Sequence, residues 1–252
     1  MKKQKGYRYD KIFALLTLIS LLIIIIMVYL DYGSNISSLA NDELKNVTFS
    51  SGEVAADEVA TGTEITKDVT VVIDAQLGGS LNGATAVDGS LVKNQNLEMA
   101  KLVKEKLEEK GVTVVLTRED DETVSDSKRV SIANESNAAV VVSLGRNAYN
   151  GEASGVESWI YSGEPIESIE LANSILEELA DEGLTSRGIK SGTEKSSESD
   201  YAINSQVSAT SCIMLLGFVN NKTDNEMFTT KLDETATAVA DGIVSYLITK
   251  GY

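Results

Sequence analysis

The chain has 252 residues with no histidine, one cysteine (Cys212), and 38 acidic against 22 basic side chains, a formal charge of -16 at pH 7. Without histidine neither a Ser-His-Asp nor a Cys-His nucleophile can be assembled and the commonest ligand of catalytic zinc is missing, while a single cysteine excludes an internal disulfide. Residues 1–30 hold five bases and one acid, which leaves 17 bases and 37 acids on residues 31–252, a net -20 that repels nucleic acid and anionic membrane.

In chain order, Lys2, Lys3, Lys5, Arg8 and Lys11 make residues 1–11 basic, and from Ile12 to Leu30 no side chain is charged. As a helix those residues are about 28 Å long, close to the hydrocarbon thickness of a bilayer. This predicts one membrane-spanning helix over 12–30, with the basic flank in the cytoplasm and the C-terminal bulk outside the cell membrane. A cleaved signal peptide is the rival reading. Its apolar core runs about 7 to 15 residues, and the candidate cleavage stretch Ser38-Leu39-Ala40 lies well past the span, so an uncleaved anchor is expected. Residues 31–67 are rich in Ser, Asn, Asp, Glu, Gly and Thr without a sustained period. They read as a flexible linker of roughly 35 Å end to end.

Residues 68–252 alternate strands and helices. Asp68–Asp74 is a predicted strand. Asn96–Lys110 is a helix with Leu97, Ala100, Val103 and Leu107 on one face and Gly111 at its end. Val112–Leu116 is a strand, Ser125–Ser136 a helix, and Ala139–Leu144 and Gly155–Tyr161 are strands. Ile166–Asp181 is a long helix with Ile169, Ala172, Leu176 and Leu179 inward, Ser211–Phe218 a buried strand, and Leu232–Ile248 a closing helix. The segment GTEKSSESD at 192–200 reads as an exposed loop. The alternation predicts one three-layer α/β domain, its central and mostly parallel sheet flanked by helices. Cys212 reads as a buried small hydrophobe.

The stretch VVIDAQLGG at 71–79 is a β-branched strand ending in a glycine turn, the way open α/β sheets present functional groups, except that Leu77 stands where a polar group is expected. Gly78-Gly79 is not a phosphate loop, because no Gly-Lys-Ser/Thr follows. The acidic run Glu119 to Glu122 reads as a solvated turn, not as a pair of glycosidase carboxylates. Trp159 suits the core or stacking on a sugar face.

Further motifs follow in order: VVLTREDD at 114–121, RVSIANESNAAVVVSLGRN at 129–147, GVESWIY at 155–161, RGIK at 187–190 and LLGFVNN at 215–221. With VVIDAQLGG they resemble the zinc-dependent N-acetylmuramoyl-L-alanine amidase family, which hydrolyses the bond between the glycan and the stem peptide of peptidoglycan. The resemblance covers residues 69–252 and implies where the family's chemistry sits. The histidine of the first strand's Asp-Ala-Gly-His-Gly-Gly ending falls on Leu77, with Gln76 in place of the glycine before it. The glutamate ligand falls on Val92, the second histidine on Gly145, and the catalytic glutamate on Leu215. No Asp or Glu lies between 89 and 97, between 136 and 151, or between 201 and 223, so a shift of register restores nothing.

Amide hydrolysis by this route needs a metal to polarise the carbonyl and a carboxylate to move the proton. The resemblance therefore implies a degenerate member with no zinc, no catalysis and a shallow, partly apolar remnant cleft. Framework positions Thr117, Arg118, Arg129, Ala133, Asn134, Gly217 and Phe218 are retained. The residues left to bind a ligand are Gln76, Arg118, Arg146 and Asn147. Arg118, Arg129 and Arg146 either pair with local acids or grip stem-peptide carboxylates in bidentate fashion, Arg146 being favoured because it adjoins Gly145. The expected partner is peptidoglycan or an envelope protein, with membrane contact only through the N-terminal helix and no nucleic acid. The alternatives are an active amidase with non-standard metal ligands and a protein-only scaffold for another wall enzyme.

Overall fold

The computed structural model describes residues 64–149 and 152–252. The predicted span over 12–30 and most of the predicted linker lie outside the described residues. Among the described residues no helix is long and apolar enough to cross a membrane. The end of the predicted linker already joins the domain, since Ile65 packs on the core and Lys67 Nζ donates to the Gly251 carbonyl at 2.6 Å.

Six strands form one sheet: β1 (Thr70–Ala75), β2 (Thr113–Leu116), β3 (Val140–Asn147), β4 (Val156–Ile160), β5 (Ser186–Ser191) and β6 (Thr210–Phe218), in the order β2-β1-β3-β6-β4-β5. Every pairing is parallel except β4 with β6. The helices are α1 (Val92–Glu109), α2 (Asp126–Glu135), α3 (Ile166–Asp181), the one-turn α4 (Ala202–Ser205), α5 (Lys222–Thr230) and α6 (Leu232–Thr249).

The strands read as unbroken apolar runs because both faces are covered. Val71, Ile73 and Ala75 of β1 point into the larger core beneath α1, α3 and α6. Val72 points into a thinner layer with Ala133 of α2, Ile203 of α4, Trp159, Ile213 and Leu215. That thin layer leaves the C-terminal ends of β1, β3 and β6 open on one side.

Several elements differ from the sequence expectation, including β5, which is not among the predicted strands. Helix α1 starts at Val92, one turn before Asn96, because the looping segment ahead of it supplies partners: Val92 N donates to Ala84 O and Lys93 N to Asn82 O, at 3.2 and 3.3 Å. Strand β3 continues past Leu144 to Asn147 by pairing Gly145 with Leu215 of β6. Helices α4 and α5 are too short to show a period.

Candidate functional site

The parallel strands deliver their ends to one edge of the sheet, where open α/β folds place their sites. After β1 the chain turns through three successive positive φ values, Leu77 at 66°, Gly78 at 125° and Gly79 at 55°. Leucine in that conformation is strained and persists only when its surroundings fix it. Here they do. Arg118 donates to the carbonyls of Ala75, Gln76, Lys93 and Asp120 at 2.7 to 3.3 Å. Arg129 donates to the carbonyls of Ala75 and Leu77, both at 2.9 Å, and pairs with Asp74. Gly79 N donates to Asp121 Oδ1, and Lys93 Nζ bridges Gly79 O and Asp121 Oδ2, all at 2.7 Å.

All three arginines expected to pair locally or grip a ligand are therefore buried, Arg129 among them. Arg118 is 2% exposed and its guanidinium holds the backbone of the turn. Arg146 is also buried, donating to Leu216 O at 3.0 Å, Gln95 Oε1 at 2.9 Å and Asn225 Oδ1 at 3.1 Å, and burial pulls its pKa down to about 10. Its edge reaches the floor of the cleft between Gln76 and Asn147 without opening into it as a free fork.

The four positions that the resemblance singles out come together in two pairs. Leu77 and Val92 meet in one small apolar cluster with Ala84, Ala86 and Val219. Gly145 and Leu215 are register partners on β3 and β6, and the Gln76 side chain occupies the space between them. A Cβ placed on Gly145 would lie 2.2 Å from Gln76 Oε1 and 3.1 Å from Leu215 Cδ2. The amide is held from below by a buried polar chain. Gln76 Nε2 donates to Ser143 Oγ at 3.2 Å, and Ser143 Oγ donates to Asp74 Oδ2 at 2.5 Å. Asp74 Oδ1 accepts from Thr117 Oγ1 at 2.5 Å.

Zinc is held by thiolate, imidazole or carboxylate. An amide, two leucines, a valine and a glycine do not fit it. Among the described residues no three His, Cys, Asp or Glu side chains are grouped so as to hold a metal ion.

From this centre a groove runs along the sheet edge past Trp159, which lies edge-on to Tyr201 at 6.2 Å between ring centroids. It ends in a cavity of about 300 Å³ lined by Asn147, Tyr149, Glu157, Trp159, Arg187, Lys190 and Phe218. Glu157 is the buried carboxylate of this end, and Glu194 also lines the cavity. Burial works to raise its pKa, but Lys190, Asn147, Arg187 and Trp159 outweigh it and hold the value at about 2. The Asn147 amide leans toward that carboxylate without making a full hydrogen bond.

Sequence reasoning missed Glu157, Arg187 and Lys190. In a regular strand residues 187 and 190 project to opposite faces. A one-residue bulge in β5 breaks the alternation, since Val156 pairs with Ser186 but Ser158 with Ile189. Gly188, with φ of 79°, marks the bulge, and a glycine between two cations in RGIK was the available signal.

Comparison with known proteins bears on this edge. The family model described as N-acetylmuramoyl-L-alanine amidase matches residues 71–245. The uncharacterized Bacillus subtilis protein YqiI is 33% identical over 183 residues, covering 70% of this chain and 84% of its own. Relatives from Staphylococcus epidermidis are matched over 59% of their length. An N-acetylmuramoyl-L-alanine amidase structure from Clostridium difficile 630 superposes with a TM-score of 0.67 at 29% identity, covering 73% of this chain and 99% of that one. The CwlD amidase from Clostridioides difficile, solved in complex with the GerS lipoprotein, superposes with a TM-score of 0.62 at 26% identity, covering 72% of this chain and 100% of that one.

Proposed function

Because the chain belongs to the N-acetylmuramoyl-L-alanine amidase family, we propose that it is a member that has kept the wall-facing scaffold and given up hydrolysis, binding peptidoglycan without cleaving it. The carrying observation is the Gln76 amide standing in the space that a side chain at 145 would need, while Leu77 and Val92 pack on one another's cluster. In this reading the protein holds no zinc. It is tethered by residues 12–30 with its N-terminus in the cytoplasm, and residues 31–63 give the domain reach toward the wall. The groove offers an amide, an aromatic face and a charged end, which suit recognition.

Metal content and release of stem peptides by the purified chain, after zinc loading, test the loss of catalysis. No stoichiometric zinc and no release are expected, and either one found would overturn the reading. Sedimentation with insoluble peptidoglycan tests the binding. Membrane fractionation, with proteolysis of the domain from outside intact cells, tests the topology.

A second reading is favoured by the solved relative that is bound to a lipoprotein. Here the domain docks on an envelope protein and scaffolds another wall enzyme. It is distinguished by a specific protein complex with no affinity for peptidoglycan fragments.

A further inference from the structure

The far end of the groove carries a cluster of three charged side chains. Glu157 accepts from Arg187 Nε at 2.9 Å and Lys190 Nζ at 2.7 Å on one oxygen, and from Trp159 Nε1 at 3.1 Å on the other. Glu157 with its two cations carries one positive charge in excess, and Glu194, the second carboxylate lining the cavity, is paired with neither cation. The Glu157 side chain is 3% exposed, whereas those of Arg187 and Lys190 are 37% and 35% exposed, so the excess faces the cavity.

Arg187 commits Nε to Glu157 and Nη1 to Ser154 O at 3.2 Å, and its Nη2 has no hydrogen-bond partner among the described residues. Lys190 Nζ has one acceptor for three protons. Each cation also stands 5.1 Å from a ring centroid, Arg187 over Phe218 and Lys190 over Trp159, with Tyr149 exposed at the rim.

We propose that Arg187 and Lys190 form a subsite for a carboxylate of a peptide, seated between the two cations with the apolar part of the peptide against Phe218, Trp159 and Tyr149. This rests on the peptidoglycan-binding reading above and names the part of the ligand that the groove selects. Two adjacent donors match the two oxygens of a carboxylate, and such charge-assisted bonds are the stronger kind. A phosphate polymer shares the negative charge but carries it repeatedly, and the net -20 of residues 31–252 disfavours a long polyanion. A short peptide with a localised carboxylate meets no such repulsion.

The test is titration of the full chain with a muramoyl tripeptide bearing free carboxylates and with the same compound fully amidated. The acid is expected to bind about tenfold more tightly, the worth of one charge-assisted hydrogen bond. Lys190→Gln should abolish the preference. Glu157→Gln keeps the side-chain shape and frees both cations for the ligand, so it should increase the preference. Thermal melts check that each variant is folded, and if Glu157→Gln does not fold, Lys190→Gln alone decides.

Equal affinity of the native chain for acid and amide overturns the subsite. So does a soluble phosphodiester polymer that competes as strongly as the acid at equal charge concentration, or a preference that survives Lys190→Gln. Zinc and stem-peptide release are read separately, so hydrolysis would refute the non-catalytic reading and leave the acid preference standing.

Discussion

Gly145 and Gln76 now occupy one volume between them, which makes their substitutions interdependent. The atom that a Cβ on residue 145 would strike is the far end of a flexible side chain, so Gly145→Ala should be accommodated by swinging the amide away from Ser143. The expected cost is about 1 kcal/mol, one hydrogen bond. In Gln76→Ala the amide is already gone, and adding Gly145→Ala should then cost little. Urea unfolding of the two singles and the double should give a coupling near 1 kcal/mol, and additive effects would refute the shared volume.

Glu157 makes a second prediction through its charge. Its folded pKa of about 2 lies below its ordinary 4.5. Its contribution is therefore complete above about pH 4.5 and lost as the pH falls toward 2, on the order of 3 kcal/mol. The stability difference between the native chain and Glu157→Gln should shrink over that window in urea midpoints taken at several pH values. That Leu77 meets Val92 and Gly145 meets Leu215 was legible in the sequence, because motif order sets them at the ends of neighbouring elements. The inward aim of Arg118 and Arg146 was not, because it depends on which carbonyls and side-chain amides of distant segments face each guanidinium.

Strands and helices were the most legible part of the chain. The apolar runs of β1, β3 and β6 and the periodic faces of α1, α3 and α6 predict themselves, since burial on both faces or one stripe leaves a fixed pattern. The bulge in β5 does not, because six residues with two cations and two serines carry no apolar alternation. Gly188 is the residue that makes it. No atom lies within 4 Å of where its Cβ would sit, so the cost of Gly188→Ala is conformational alone, about 1 kcal/mol for φ of 79°. Its effect on ligand discrimination should be larger than its effect on melting temperature, because Arg187 and Lys190 share a face only through the bulge.

Gly242 of α6 is the contrasting case. A Cβ there would lie 2.5 Å from Ile175 Cα and 2.8 Å from Ile175 N, backbone of α3 that cannot swing aside. Gly242→Ala should push the two helices apart and cost about 1 to 3 kcal/mol, read as a drop of several degrees in melting temperature with the acid preference unchanged.

Residues 31–252 carry a net -20, and that charge and the subsite act over different distances. At physiological ionic strength the Debye length is about 8 Å, so repulsion between this surface and an anionic wall is spread over many exposed charges and is strongly screened by salt. The contact of a carboxylate with Arg187 and Lys190 is made at hydrogen-bond distance in a partly buried cavity, where screening is weaker. Raising the salt should therefore have opposite effects on two measurements of the same protein. Sedimentation with insoluble peptidoglycan should increase as the long-range repulsion is removed. The preference for the free acid over the amide should decline modestly, since it is an attraction that salt weakens. If both quantities fell together and steeply, long-range attraction to some cationic component would be holding the protein to the wall. The local contact would then be incidental to binding. If wall binding rises while the acid preference persists, affinity comes from short-range contacts in the groove, made despite the charge of the whole.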